Sequence, residues 1–334
     1  MRYIFFPIFY FLILSTAHAT TKPIPGSFGL EYEFLWLYPS LGKSYFVIDA
    51  DPGASETNIV GSRIDNPTRG YPVFRLDGFY TFCDCPNLLR LRGTYFYRNR
   101  SMFKKVTGSN LFPTIGIPGG GNNEPENYAG EASSTIKVDY FNVEGFFGHY
   151  LCDWSPFFLS LNVGVEFARL DICEQVDYEP TDGDNDLFVT SRDHYWGWGP
   201  EFLIDASYDL CCWPCKSCDE GGYLSLRGEF RGSLLYGKNR AILRSFSTTT
   251  TENIDLKNDA QLKIVPAWGG RLSLNYSKCF CSLLCNVEVG YQAIFYEAPT
   301  DVIRVLNAPI QGGTEDFDNQ FGFIGPFIGV GINF

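Results

Sequence analysis

From Tyr223 to Tyr236 the chain alternates apolar and polar side chains: Leu224, Leu226, Phe230 and Leu234 fall on one face, and Ser225, Arg227, Glu229, Arg231 and Ser233 on the other. A period of two separates these sets, whereas helical spacing would mix them, so the segment is predicted to be a β-strand. The same split recurs with Leu159, Leu161, Val163, Val165 and Phe167 against Ser160, Asn162 and Glu166. It recurs again with Cys285, Val287, Val289, Tyr291, Ala293 and Phe295 against Asn286, Glu288 and Gln292. At the end of the chain Ile324, Pro326, Ile328, Val330, Ile332 and Phe334 share one side, while Gly325, Gly329, Gly331 and Asn333 share the other, with Phe327 the one bulky exception. Weaker alternation begins at Phe28, Tyr71, Leu89, Tyr195 and Leu262. The segment from Ile136 to Phe147 changes phase midway, which predicts a β-bulge.

These segments predict about ten strands joined by connections that alternate in length. Those near Cys83–Asn87, His149–Pro156, Asp209–Gly222 and Ser277–Ser282 are short or moderate. Those near Lys43–Gly70, Asn99–Ser134, Asp171–His194, Lys238–Ala260 and Ala298–Asn319 are long and polar. Short turns at one end, long loops at the other and an even strand count are the pattern of a transmembrane barrel with both termini on the periplasmic side. Trp36, Tyr38, Trp196 and Trp198 fall at the predicted outer ends of strands and Trp154 and Trp213 at the inner ends, as two interfacial girdles require; Trp268 sits mid-strand and fits neither. In any one strand, a soluble barrel with its apolar face inward would give the same alternation. The loop asymmetry and the girdles favour an all-β transmembrane antiparallel β-barrel.

The first 19 residues change the picture further. Arg2, an apolar stretch from Tyr3 to Leu14 and Ala17-His18-Ala19 before Thr20 read as a cleaved secretory signal peptide, leaving residues 20–334 as one exported domain. No later segment approaches the ~18 apolar residues of a membrane-spanning helix, and no cysteine follows the cleavage site to carry a lipid anchor. Phe334, an aromatic residue closing the last strand, is expected to act as the signal read by the barrel-assembly machinery. Aromatics at 17% and charged residues at 19%, with 34 glycines and no linker-like block, suit a single barrel. Removing the leader removes Arg2 and no acid, so the net charge goes from −12 to −13, 25 basic against 38 acidic residues. Such a balance argues against a nucleic-acid partner, which needs clustered Lys and Arg to displace counterions.

All 11 cysteines lie in the exported portion, which implies an oxidising compartment, and the odd count leaves at least one thiol for an intermolecular bridge. Cys211, Cys212, Cys215 and Cys218 contain two C-x-x-C spacings. In a predicted turn between strands they lack the helix start that would activate a thiol, so structural disulfides are expected over redox or metal chemistry. Cys83, Cys85, Cys152, Cys279 and Cys281 also lie in or beside the short turns, which gathers nine cysteines at the periplasmic end; Cys173 and Cys285 fall elsewhere. Asp182, Asp184 and Asp186 alternate like the start of a calcium loop, but Leu187 stands where the sixth-position Gly is required, so a solvated acidic loop is expected and no metal. Gly119, Gly120 and Gly121 lack the strand-loop-helix context of an anion cradle. His149 and His194 are the only mature histidines, and neither G-x-S-x-G nor H-E-x-x-H occurs, so neither catalysis nor a cofactor is expected.

With the apolar face outward, Glu31, Glu33, Arg75, Asp77, Arg90, Arg92, Glu166, Glu201, Asp205, Arg227, Glu229, Arg231, Lys263, Arg271 and Glu288 would line the lumen. Mixed signs suit either a polar channel lining or an interior filled by paired charges. About eight strands leave a filled interior and roughly 16 to 18 an aqueous channel, so a ten-stranded pore would be narrow.

Several stretches resemble the Legionella-type major outer membrane protein family, also represented among Chlamydia-like bacteria: Gly29-Leu30-Glu31-Tyr32-Glu33-Phe34-Leu35-Trp36, Gly199-Pro200-Glu201-Phe202-Leu203-Ile204-Asp205, Gly232-Ser233-Leu234-Leu235-Tyr236-Gly237 and Val289-Gly290-Tyr291-Gln292. The resemblance implies a pore-forming barrel in the bacterial outer membrane, in contact with lipid, with no cofactor and no catalytic residues. The cysteine density departs from the Legionella pattern and is similar to chlamydial envelopes, where disulfide-linked proteins supply mechanical strength. The expected function is therefore a porin-like channel for small hydrophilic solutes, disulfide-linked at its periplasmic end to itself or to other cysteine-rich envelope proteins. The alternative is a plugged structural or adhesive barrel with surface-exposed loops.

Overall fold

The computed structural model describes residues 26–42, 45–51, 61–96, 102–114, 129–154, 156–180, 186–213, 222–247, 254–258, 260–280, 283–305 and 314–334. The leader, Gly119–Gly121, Asp182, Asp184, Cys215, Cys218 and Cys281 lie outside them, as do the side chains of Cys152, Trp154, Cys211, Cys212 and Trp213. Fourteen strands are present among the described residues: β1 (Phe28–Leu41), β2 (Tyr45–Ala50), β3 (Gly61–Asp65), β4 (Tyr71–Thr81), β5 (Asn87–Phe96), β6 (Met102–Pro113), β7 (Ala129–Trp154), β8 (Phe157–Pro180), β9 (Leu187–Trp213), β10 (Gly222–Ser247), β11 (Ile254–Lys257), β12 (Gln261–Phe280), β13 (Leu283–Val305) and β14 (Thr314–Asn333).

Ten of them close a ring in the order β1-β4-β5-β7-β8-β9-β10-β12-β13-β14, every neighbour antiparallel, with β14 returning to β1. At the seam Phe28 N–H donates to the Phe334 carbonyl and Phe334 N–H to the Phe28 carbonyl, each at 2.9 Å. Their rings stand 5.5 Å apart on the outer surface. Closure leaves no open edge, the one way a sheet can satisfy its backbone in hydrocarbon. The other four strands belong to the outer end: β2, β3 and β6 pair beside β7, and β11 pairs with β10.

Around the lower part of the wall, nearest the termini, the apolar face points outward. Leu161, Val163 and Val165 on β8, Phe202 and Ile204 on β9, and Phe230 and Leu234 on β10 are all exposed, while Asn162, Glu166, Glu201, Glu229 and Arg231 beside them are buried. From Phe157 to Phe167, at about 3.4 Å per residue and a tilt of about 40°, this band is roughly 26 Å tall, the height of a barrel's lipid-facing belt. Trp36, Tyr38, Trp196 and Trp198 point outward at its upper rim. Trp268 also faces out and packs on Phe295, with ring centroids 4.6 Å apart.

Above that rim the wall continues with its polarity reversed. On β8 the outward side chains become Arg169, Asp171, Cys173, Gln175, Asp177 and Glu179, and the inward ones Ala168, Leu170, Ile172, Val176 and Tyr178. On β10 the outward set passes from Tyr236 to Lys238 and Arg240, and the inward set from Ser233 to Leu235, Ala241 and Leu243. Outside, lipid has given way to water, so the apolar face that holds the wall together must turn inward, as in a soluble barrel.

This reversal corrects three expectations. No bulge interrupts Ile136–Phe147: inward positions run without a break from Ala132 to Gly148, and β7 keeps register with β8 from Glu131↔Glu179 to Tyr150↔Ser160. What changes midway is which face is apolar, with Ile136, Val138 and Tyr140 inside above and Phe141, Val143 and Phe147 outside below. The stretches expected to be long loops are largely strand: β8 and β9 pair as far as Tyr178↔Leu187, and β9 starts eight residues before Tyr195. Cys211 and Cys212 lie in the end of β9 rather than in the turn after it, while Cys152 and Cys279 lie in the ends of β7 and β12, beside their turns.

The two halves of the wall should respond oppositely to charge. Val163→Arg, on the lower outer face, is expected to destabilise the folded barrel by about 2–4 kcal/mol, and Gln175→Arg, on the same face of the same strand above the rim, by less than about 0.5 kcal/mol. Equilibrium urea unfolding in vesicles measures both; equal effects would count against the reversal.

Candidate functional site in the barrel lumen

The inward residues of the lower wall form a belt of six arginines and nine carboxylates: Arg75, Arg90, Arg92, Arg227, Arg231 and Arg271 with Glu31, Glu33, Asp77, Glu144, Glu166, Glu201, Asp205, Glu229 and Glu288. All except Asp205 and Arg227 are buried. Period-two alternation places each on the lumen side, because its neighbours in sequence must face lipid.

The belt is bonded across the barrel as well as along its wall. Arg90 donates to Asp77 at 2.7 and 2.5 Å on the adjoining strand and reaches Glu229 on β10 at 3.2 Å, on the far side of the ring. Arg92 reaches the same Glu229 at 3.0 Å, Asp77 at 3.1 Å and Glu144 at 3.5 Å. Arg227 binds Asp205 at 2.6 Å, Glu229 at 2.9 Å and Glu288 at 3.3 Å. Arg271 joins Glu288 at 2.7 Å to Glu33 at 2.5 Å, and its guanidinium stacks 3.8 Å from the ring centre of Phe327. An added Cβ at Gly290 would come 2.8 Å from that ring, so a glycine there makes room for Phe327. Arg75 closes the circle, bonding Glu33 at 3.2 Å, Gln292 at 2.8 Å and Thr94 at 3.0 Å. Taking such groups out of water is costly unless they find partners, and the shared arginine forks supply them to most of the belt, while Glu201 accepts no hydrogen bond.

Above the belt a polar step leads to an apolar layer. Glu144 bonds Arg231, and Glu166 accepts from Asn142 and Ser233 at 2.5 Å and from the Tyr296 hydroxyl at 2.7 Å. Tyr296 and Tyr140 are bonded hydroxyl to hydroxyl at 2.6 Å. From there Leu35, Val73, Phe96, Ile136, Val138, Leu170, Leu235, Val265, Ile294, Phe321 and Phe323 pack into one buried cluster spanning the lumen. Farther out, Asn66 donates to Glu174 and accepts from Ser134, both at 2.5 Å. Phe46 and Val47 of β2 and Leu111 of β6 then pack against Val176, Val189 and Leu243, so strands from the first two outer connections stop the barrel's mouth. Tyr178 pins that stopper by donating to the Phe46 carbonyl at 2.5 Å.

Toward the periplasmic end the lumen opens. A cavity of about 160 Å³ is lined by Ser160, Ser207, Ser225, Ser277, Asn275, Asn286, Asn333, Phe158 and Tyr223, and ends against Glu31, Arg90, Asp205 and Arg227.

Of the residues expected to line the lumen, fourteen are brought into this belt. Lys263 keeps inward register opposite Gly237 but lies half-buried beyond Val265, outside the ladder of arginines and carboxylates. Sequence reasoning missed Glu144, Asn142, Tyr140 and Tyr296. The first three sit in the segment read as changing phase, and unbroken alternation from Ala132 would have placed them inside. Cys83, Cys85, Cys173, Cys279 and Cys285 are unpaired, and among the described residues no group of His, Cys, Asp and Glu is arranged to hold a metal.

No curated protein matches this chain. Among solved structures it is similar to the outer membrane protease OmpT from Escherichia coli (10% identity, 94% of this chain and 98% of that one, TM-score 0.45). It is also similar to a Pseudomonas aeruginosa FadL homologue (9% identity, 92% and 90%, TM-score 0.30) and to the Pseudomonas putida toluene transporter TodX (8% identity, 94% and 91%, TM-score 0.28). The family of the Legionella pneumophila major outer membrane protein precursor matches residues 23–334. The closed ring, its apolar outer belt and that match together establish that the chain belongs to this family and is a β-barrel of the bacterial outer membrane.

Proposed function

We propose that the protein is a closed barrel, a structural and surface-presenting component of the envelope, in preference to the porin-like channel for small hydrophilic solutes that its lining charges suggest. The observation that supports this reading is the filled cross-section: a cross-bonded charge belt, then the Tyr140, Tyr296, Phe321 and Phe323 layer, then the β2 and β6 stopper. A solute entering from outside would have to displace all three. The diffusion-channel reading draws on the periplasmic cavity, which already carries water-accessible polar lining as far as Arg90 and Arg227. It requires the aromatic layer to move.

Periplasmic cross-linking is the second part of the proposal. Cys83 is exposed in the turn between β4 and β5, Cys85 is half-buried beside it, and Cys279 lies one residue from the end of β12. Thiols at one rim can bridge to a second copy or to another cysteine-rich envelope protein in an oxidising compartment.

In planar bilayers the native chain is expected to give no steady conductance, and Tyr140→Ala/Tyr296→Ala/Phe323→Ala, which leaves the belt and the stopper in place, should stay closed as well. A steady channel from the native chain would support diffusion instead. Arg92→Ala, which takes one of their arginine partners from buried Asp77, Glu144 and Glu229, is expected to cost about 3–5 kcal/mol in equilibrium unfolding; a loss under 1 kcal/mol would mean the belt is solvated. On gels, native envelopes should carry the protein in high-mass bands that collapse on reduction, and unchanged mobility would remove the cross-linking proposal.

A further inference from the structure

Just above the aromatic rim, the outer face of β8, β9 and β10 carries a basic patch on a chain whose net charge is −12. The pairing fixes its layout in rows across the strands. Arg169, Trp196 and Lys238 form the lowest, Asp171, His194 and Arg240 the next, and Cys173, Arg192 and Ile242 the one above. Asp171 is the one acid in these rows. Its carboxylate is taken up locally, accepting from Arg169 at 2.7 Å and paired with the His194 ring. Lys238, Arg240 and Arg192 are exposed, and among the described residues no carboxylate pairs with them.

Neighbouring strands lie about 4.8 Å apart and alternate residues about 6.8 Å apart, so on this rigid sheet the backbone of Arg240 stands about 7 Å from that of Lys238 and about 8 Å from that of Arg192, with Lys238 and Arg192 about 14 Å apart, a spread that the long side chains can close around one headgroup. Their height is set by the chain itself. Lys238 is the next outward position after Tyr236, and Trp196 and Trp198 mark the same level on β9, so the cations begin where hydrocarbon ends. With the termini and short turns on the periplasmic side, that level is the outer leaflet's headgroup layer. The chemistry found there in an outer membrane is phosphate on the sugar headgroups of glycolipids. Arginine forks and a lysine next to tryptophan rings match such a ligand, the cations taking phosphate and the aromatics the junction with the acyl chains.

We propose that Lys238, Arg240 and Arg192, with Trp196 beside Lys238 and Trp198 one row below, form a binding site for the phosphorylated headgroup of an outer-leaflet glycolipid. The site anchors β8–β10 at a fixed depth, and it is independent of whether the lumen conducts. The full-length barrel, reconstituted in nanodiscs, can be titrated with bisphosphorylated lipid A and with its dephosphorylated form, and bound lipid counted by native mass spectrometry. Phosphorylated lipid should be retained at least tenfold more strongly than the dephosphorylated form. Lys238→Gln/Arg240→Gln/Arg192→Gln should lose that preference while remaining heat-modifiable on gels, and Lys278→Gln, at the opposite end of the barrel, should keep it. Inorganic phosphate at millimolar concentration should not compete, because the acyl chains are part of the ligand. Equal retention of the two lipids, an undiminished preference in the triple variant, or displacement by inorganic phosphate would each overturn the proposal.

Discussion

The wall of this barrel is one sheet thick, and at every height it presents one apolar face and one polar face. Which face is apolar is decided by what lies outside. In the lower wall the exterior meets hydrocarbon, so Val163, Phe202, Phe230 and Ile328 point out and the charges are turned inward. In the upper wall the exterior meets water, so Arg169, Lys238 and Arg240 point out and Ile172, Leu235 and Val265 are turned inward. The rule also protects the chain in transit, since a strand apolar on both faces would approach the uninterrupted run read as a membrane-spanning helix.

A polar lower lumen and an apolar upper lumen follow from that rule. The belt of arginines and carboxylates exists because the lower interior must be polar yet is too narrow to hold bulk water at its centre. Its members therefore bond one another across the ring, Arg92 to Glu229 and Arg271 to Glu33. The layer of Tyr140, Tyr296, Phe321 and Phe323 exists because above the rim burial has to come from inside. Tyrosine suits the boundary, offering a ring to the layer and a hydroxyl to Glu166 below it. The same reversal leaves cations of β9 and β10 on the outer surface at headgroup height.

Much of this was legible in the residues. The strand count of the ring, the outward face of β14 and the inward placement of most of the charges follow from period-two alternation in a sheet with one oily side. Alternation alone does not say that the oily side changes along a strand. Leu170, Ile172 and Val176 alternate with Arg169, Asp171 and Gln175 in the opposite phase to the lower residues, so the segment reads as a polar loop. In β7 the same swap reads as a bulge, which hides Glu144. The packing of β2 and β6 across the mouth has no local signal: Phe46, Val47 and Leu111 are apolar positions whose partners lie far along the chain in β8–β10.

The reversal itself is open to direct measurement. Spin labels placed singly on the outer face of β8, at Val163, Val165, Cys173, Gln175 and Asp177, report collision with lipid-soluble oxygen or with a water-soluble nickel complex in reconstituted bilayers. The labels at Val163 and Val165 should collide with oxygen, and those from Cys173 upward with nickel, with the crossover between Phe167 and Arg169. Oxygen access persisting to Asp177, or nickel access beginning at Val163, would contradict the assignment of one face to lipid and then to water on which the whole account rests.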